Sequence, residues 1–221
     1  MRVLELFKGT GSFGKWIEEN HPDWEVVSLD YMKKYNPTIC LDIMDWKYSE
    51  EYPEDYFDII WASPDCRVYS TLQYTHIQKP EHINKHRWES MEELTKARKE
   101  NSKYVLRVLD IIEYFQPKAW FIENPWYGAM NQIPEMAAIP STRLDYCRFG
   151  KPYRKATRIW SNRKFESVIC NCTEKHKAVV GISSNGKVGR SRGVTTTYGG
   201  HGKTSAYPVP LGLFDHVLSD F

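Results

Sequence analysis

Short runs of β-forming residues alternate with glycine-rich or helical stretches over the first 125 residues, which limits the chain to an open α/β sheet. Extended segments are expected at 2–7, 24–29, 38–43, 57–62 and 119–122, with later strands at 143–147 and 157–160. Gly9-Thr10-Gly11-Ser12-Phe13-Gly14 separates the first strand from a helix through 15–19. Apolar periodicity over 88–115, carried by Leu94, Tyr104, Val105, Val108, Leu109 and Ile112, predicts a long helix. The alternation implies a largely parallel, doubly wound sheet with helices on both faces. In such a sheet ligands bind beyond the carboxyl ends of the strands.

The residues at those ends are the ones able to do chemistry. The run Ile59-Ile60-Trp61-Ala62 passes through Ser63-Pro64-Asp65 and delivers Cys66. The run Trp120-Phe121-Ile122 ends in Glu123-Asn124-Pro125. A thiol and a carboxylate on neighbouring strand tips suggest a nucleophile and a proton handler facing one pocket. Phe7-x-Gly9-x-Gly11 lies where backbone must approach a ligand closely. Asp30 is placed to hold a ribose hydroxyl pair, Tyr31 to stack on a base, and Asp42-Ile43 to flank an adenine. The glycine-lysine phosphate loop of nucleoside triphosphatases is absent, so the pattern suits a neutral or cationic nucleoside.

The 221 residues fit one globular domain with a real core. The formal charge of +2 hides an asymmetry: residues 1–142 carry −7 and residues 143–203 carry +11. A basic third joined to an acidic two-thirds reads as a polyanion-binding face, with nucleic acid the expected partner. Five scattered cysteines argue against a disulfide framework and for a reducing, intracellular compartment. No apolar run is long enough to span a membrane, and no signal peptide is visible. The expected organisation is a catalytic core at 1–165, an irregular basic segment at 166–203, and a C-terminal segment at 204–221 that returns to the core, most simply as a monomer.

The order of these parts resembles the DNA cytosine-5 methyltransferases. Leu6-Phe7-Lys8-Gly9-Thr10-Gly11-Ser12 is similar to the family's first motif, and Asp30 and Asp42-Ile43 are similar to the second and third. Ser63-Pro64-Asp65-Cys66 resembles the Pro-Pro-Cys motif, Glu123-Asn124 the Glu-Asn motif, and Phe149-Gly150 through Arg158-Ile159-Trp160 the arginine-containing eighth motif. Ala206-Tyr207-Pro208 is similar to the last motif. The resemblance implies a class I fold that binds S-adenosylmethionine, releases S-adenosylhomocysteine, and methylates cytosine C5 in DNA. It implies catalytic roles for Cys66, Glu123 and Arg158, with Arg158 holding the base and helping to position Glu123. It implies cofactor contacts from Phe7, Gly9, Thr10, Gly11, Asp30, Tyr31, Asp42, Ile43, Pro64 and Ser205. DNA contacts would come from Arg67, Ser70, Arg154, Lys155, Arg190 and Arg192. The short stretch between the eighth and last motifs implies few base-reading contacts and relaxed specificity, as in compact phage and viral forms.

The sequence departs from the family pattern at Asp65, where a second proline is usual, and at Ser205, where an asparagine is usual. Asp65 would raise the pKa of the neighbouring thiol unless it turns away or pairs with Arg67. The eighth motif lacks its glutamine and needs a one-residue shift around Tyr153, Arg154 and Lys155. Cys170-x-Cys172-x-x-x-His176, with Cys147 or His201, offers zinc-type ligands. Its Cys-x-Cys spacing is tighter than common zinc knuckles and its fourth ligand is unassigned, so unrelated loop residues are the simpler expectation and no metal is assigned. Residues 67–87 read as a loop closing over substrate. Three other readings stay open at this point: a tRNA cytosine-5 methyltransferase, an amino-methyltransferase, and a catalytically decayed nucleic-acid-binding protein.

Overall fold

The computed structural model describes residues 1–77, 88–173, 176, 181–182, 188–189 and 208–221. A six-stranded sheet organises it, in the order β2-β1-β3-β4-β6-β5. The strands are β1 Arg2–Leu6, β2 Glu25–Leu29, β3 Ile59–Ala62, β4 Ala119–Pro125, β5 Ser141–Asp145 and β6 Ala156–Ser161. Strands β1 to β4 pair in parallel. Strand β6 runs antiparallel to both β4 and β5, so the sheet is mixed at that edge. The cause is the short connection at 146–155, which can turn the chain back on itself but cannot carry a crossover helix.

The segment at 38–43 forms no named strand. It touches β2 through a single bridge, Leu29 to Ile39. Thr38 and Ser28 trade side-chain bonds there, and the Asp42 carboxylate accepts from the Met44 N–H at 2.9 Å, turning the chain away from the sheet edge.

Strand alternation divides the core between the two faces. Leu4, Leu6, Ile60, Ala62, Ile122 and Trp160 face one way and pack against α3, Met91–Phe115, through Val105, Val108, Ile112 and Phe115. Val3, Ile59, Trp61, Phe121 and Ile159 face the other way. There they meet α1, Ser12–Asn20, and α5, Leu211–Val217. Helix α3 begins where Ser90 accepts from the Glu93 N–H at 3.1 Å, and it ends at Gln116 in the left-handed conformation. Two four-residue helices, α2 Tyr48–Glu51 and α4 Pro134–Ala137, and a two-stranded pair, β7 Gly181–Ile182 with β8 Val188–Gly189, complete the described elements.

Helix α5 is held to the sheet by aromatic packing. Phe214 lies 4.8 Å from Trp61 and 5.3 Å from Phe13, centroid to centroid, and Trp16 Nε1 donates to Asp215 at 2.7 Å. Truncating Phe214 removes a fully buried ring from three others. Phe214→Ala is expected to cost about 3–5 kcal/mol in urea denaturation. The neighbouring half-exposed Leu211→Ala should cost less than about 1 kcal/mol.

Candidate active site

The carboxyl ends of β1, β3 and β4 border two adjoining cavities that share Phe7, Pro64 and Asp65. One holds Asp30, Tyr31, Asp42 and Ile43, with Arg67 and Tyr104 on its wall. The other holds Cys66, Glu123, Lys155, Glu5 and the Gly9-Thr10 turn.

The turn after β1 is held in unusual backbone geometry. Phe7, Gly9 and Gly11 all have positive φ, at 58°, 48° and 67°. Gly11 caps α1, and glycine carries the left-handed conformation there without a Cβ penalty. Phe7 is a phenylalanine in that region, at a cost of order 1–3 kcal/mol, and it stands where the cavities meet. Asp30, buried at the end of β2, accepts from the Gly9 N–H at 2.9 Å and the Met32 N–H at 2.8 Å, so it locks the glycine turn while lining the cavity.

Cys66 sits in a loop fixed from two sides. Its carbonyl accepts from the N–H groups of Tyr69 and Ser70, at 3.1 and 2.9 Å. Asn124, at the tip of β4, donates to the Pro64 carbonyl at 3.0 Å. Asp65 turns outward and forms an ion pair with Arg67, whose backbone N–H it also accepts at 2.9 Å. The pairing leaves the carboxylate a secondary influence on the thiol. Burial is the main one, pushing Cys66 up to about 11; Lys155 pulls it down, and Glu123 and Asp65 add smaller upward pushes.

Glu123 is buried with two partners. Tyr146 donates to its Oε1 at 3.0 Å and Lys155 Nζ at 3.2 Å, and Lys155 also reaches the Tyr146 hydroxyl at 3.3 Å. Burial opposes the Lys155 charge, but Glu123 and Tyr146 outweigh it and hold the ammonium well above the usual lysine range. Burial raises Tyr146 further still, so it serves as a neutral donor. Among the described residues, a cation and a hydroxyl thus hold one carboxylate oxygen, Oε1, and neither takes the other.

Arg158 stands elsewhere. It pairs across the sheet with Asn124, one residue out of phase with Glu123, so its side chain leaves by the opposite face. The guanidinium lies 3.8 Å over the Trp126 ring and donates to Ser141 Oγ at 2.9 Å. It lines neither cavity, and Lys155 occupies the place beside Glu123 expected for it. Arg154 pairs with buried Asp145 at 3.1 Å. Ser70 lies one turn beyond the thiol. Cys170, Cys172 and His176 gather with Cys147 beyond the end of β5. Ser205, Arg190, Arg192 and His201 lie outside the described residues.

Sequence reasoning assigned no role to Tyr146 or Glu5. Tyr146 carried no local signal. Glu5 did carry one, as a carboxylate inside the apolar run Val3-Leu4-Glu5-Leu6. It is buried, accepts from the Phe13 N–H at 3.1 Å, and is pushed up to about 7 by burial.

Two titrations follow. Folded Glu5 holds a proton between about pH 4.5 and 7 that the unfolded chain has lost. Its contribution to stability therefore falls as pH rises through that window, by up to roughly 3 kcal/mol. In denaturant melts, Glu5→Gln should gain on the parent protein by about that amount from pH 4.5 to 7; a constant difference would exonerate Glu5. For the thiol, Glu123→Gln removes a negative neighbour, so the pH midpoint of Cys66 alkylation should drop below the parent's value near 11. An upward move would contradict this electrostatic picture.

No family model matches the chain. A curated relative from Frog virus 3 (isolate Goorha), "Probable DNA (cytosine-5)-methyltransferase", is 31% identical over 226 residues, spanning 99% of both chains. Among solved structures, a candidate DNA modification methyltransferase encoded within an E. coli prophage aligns over 73% of this chain and 46% of its own, at 11% identity and a TM-score of 0.47. An antibiotic-related methyltransferase aligns over 73% of this chain and 87% of its own, at 10% identity and a TM-score of 0.41. No helix among the described residues is long and apolar enough to cross a membrane. With a relative of this identity along its whole length, the chain belongs to the DNA (cytosine-5)-methyltransferase family.

Proposed function

We propose that the protein transfers a methyl group from S-adenosylmethionine to C5 of cytosine in DNA, through a transient bond between Cys66 Sγ and cytosine C6. The observation that carries this reading is the joining of two cavities at Phe7 and Pro64, one with Cys66, Glu123 and Lys155 and the other with Asp30, Asp42 and Ile43.

The second cavity suits the donor's nucleoside. Asp30 and Asp42 offer acceptors for hydroxyl or amine protons, Tyr31 and Ile43 offer flat and apolar surface, and Glu5 puts a carboxylate near the glycine turn. When bound, S-adenosylmethionine supplies an electrophilic methyl group on a cationic sulfur. The chain's own residues do the rest. Cytosine C5 is a weak nucleophile until a thiolate adds at C6 and pushes electron density to C5. Cys66 forms that bond. Glu123 meets the N3 and exocyclic amine edge, so the ring gains a proton partner as the thiolate adds. Lys155 and Tyr146 hold Glu123 in place, the part that the motif resemblance implied for Arg158. After C5 is methylated, its proton leaves to a base, the C6–sulfur bond breaks, and the thiolate departs.

A thiol at about 11 is protonated in the empty site at neutral pH. In the filled site the thiol would be lowered by the positive charge that the donor supplies and by uptake of the Glu123 charge by the base edge. Activation is thereby coupled to occupancy. The target base must leave the duplex to reach this cavity. Affinity would come chiefly from phosphate contacts of the basic third, with short or relaxed sequence specificity.

DNA carrying 5-fluorocytosine tests the chemistry, because fluorine blocks the final loss of the C5 substituent. With S-adenosylmethionine, the protein should become covalently trapped on this DNA, and Cys66→Ser should not. Lys155→Met should slow trapping by about 100-fold or more, whereas Arg158→Ala, if it stays folded, should trap at nearly the parent rate. An active protein that forms no adduct would defeat the mechanism, and the reverse ranking of Lys155 and Arg158 would defeat the role given to Lys155.

A further inference from the structure

We propose that Cys147, Cys170, Cys172 and His176 bind one structural zinc ion that fastens the start of the basic segment to the catalytic sheet. The proposal rests on side-chain placement and is independent of the methyl-transfer reading.

The four side chains come from two places in the sequence. Cys147 lies in the 3-10 turn Tyr146–Phe149, directly after β5. Cys170 and Cys172 follow a stretch laid alongside β5. The Asp145 N–H donates to the Val168 carbonyl at 2.9 Å, and the Val168 N–H to the Arg143 carbonyl at 3.1 Å. The Cys170 N–H then donates to the buried carboxylate of Asp145 at 3.0 Å. Backbone pairing and one buried carboxylate therefore bring the two arms together, and no ion is needed to explain why they meet.

The ligand atoms have the right separations and chemistry. One atom from each side chain lies within 4.8 Å of all the others. Zinc–sulfur bonds of about 2.3 Å and zinc–nitrogen bonds of about 2.0–2.1 Å set tetrahedral edges of roughly 3.5–3.8 Å. Cys170 Sγ and His176 Nε2 are already 3.4 Å apart, and closing the widest pair takes about 1 Å. Three thiolates and an imidazole in a closed tetrahedron favour zinc over magnesium or calcium, which take oxygen ligands in larger shells. A disulfide would use two of the three sulfurs and strand the third. Three half-buried ligands, with Cys172 at the surface, suit a structural site with no position left for water.

The position gives the ion a task. Tyr146, next to Cys147, donates to Glu123 in the cysteine cavity. Arg154 shares Asp145 with Cys170, and Arg148 bonds Asn171 between the two Cys170-side ligands. The ion would therefore fix where the positively charged segment leaves the sheet, one residue from the group that holds the catalytic carboxylate. Cys147 supplies the fourth ligand, which spacing alone left open.

The test is metal content and coordination geometry. The full chain is purified without chelators, zinc is measured by mass spectrometry, and free thiols are counted. About one zinc per chain is expected. Replacing it with cobalt should give the visible bands of a tetrahedral thiolate site with sulfur-to-cobalt charge transfer. Cys170→Ser/Cys172→Ser should lose the metal and those bands, and His176→Ala should shift them. Cobalt titration of the unaltered chain keeps the test sound if a variant fails to fold. Substoichiometric zinc with no tetrahedral cobalt spectrum, a disulfide among the three cysteines, or zinc that survives the double substitution would each overturn the proposal.

Discussion

The buried contact among Glu123, Lys155 and Tyr146 is the constraint on which the rest of the site depends. It joins the tip of β4 to the start of β6 and to the turn after β5. A buried ion pair adds little net stability when complete, but removing one partner strands a charge in a poor dielectric at a cost of about 3–5 kcal/mol. The network therefore specifies geometry more than it stabilises the fold. It decides where a carboxylate stands relative to Cys66, and it sets opposing fields at that thiol, positive from Lys155 and negative from Glu123.

Such a network can form because the sheet puts three separate strand ends at one edge. Glu5, Glu123 and Ile159 share a face by strand alternation, the face covered by α1 and α5. The other face is filled by α3 and is apolar through its depth. The antiparallel β6 matters here, since its reversed direction brings Lys155, the residue just before its amino end, beside the carboxyl end of β4. A parallel strand in that place would have carried its first residues to the far side of the sheet.

The strand ends were legible in the sequence because β-forming runs stop at Ser-Pro and Glu-Asn-Pro turns, which are local signals. So were Asp30 and the Gly9-Gly11 turn. The partner of Glu123 was not. Lys155 and Arg158 are three residues apart in a basic stretch, and which one faces the carboxylate depends on strand phase, set by pairing with β4 and β5. A one-residue shift reverses every side chain in a strand. Tyr146 was hidden for the same reason, since a tyrosine in a 3-10 turn announces nothing about the carboxylate across the sheet. The zinc-type ligands were half legible: Cys170-x-Cys172-x-x-x-His176 stood out, and Cys147 joined them through the parallel bridge of Leu144 with Val168.

By itself the sequence determined the α/β class, a thiol just beyond one strand and a carboxylate at the tip of another, and the separation of an acidic two-thirds from a basic third. These follow from periodicity, turn chemistry and charge, properties of neighbours along the chain. The tertiary structure alone decided that Asp65 points to Arg67, that Lys155 rather than Arg158 holds Glu123, and that Cys147 meets Cys170. Those depend on register and strand direction between segments far apart in sequence, where the free energy of packing two faces of a sheet selects one pairing from several that local preference allows.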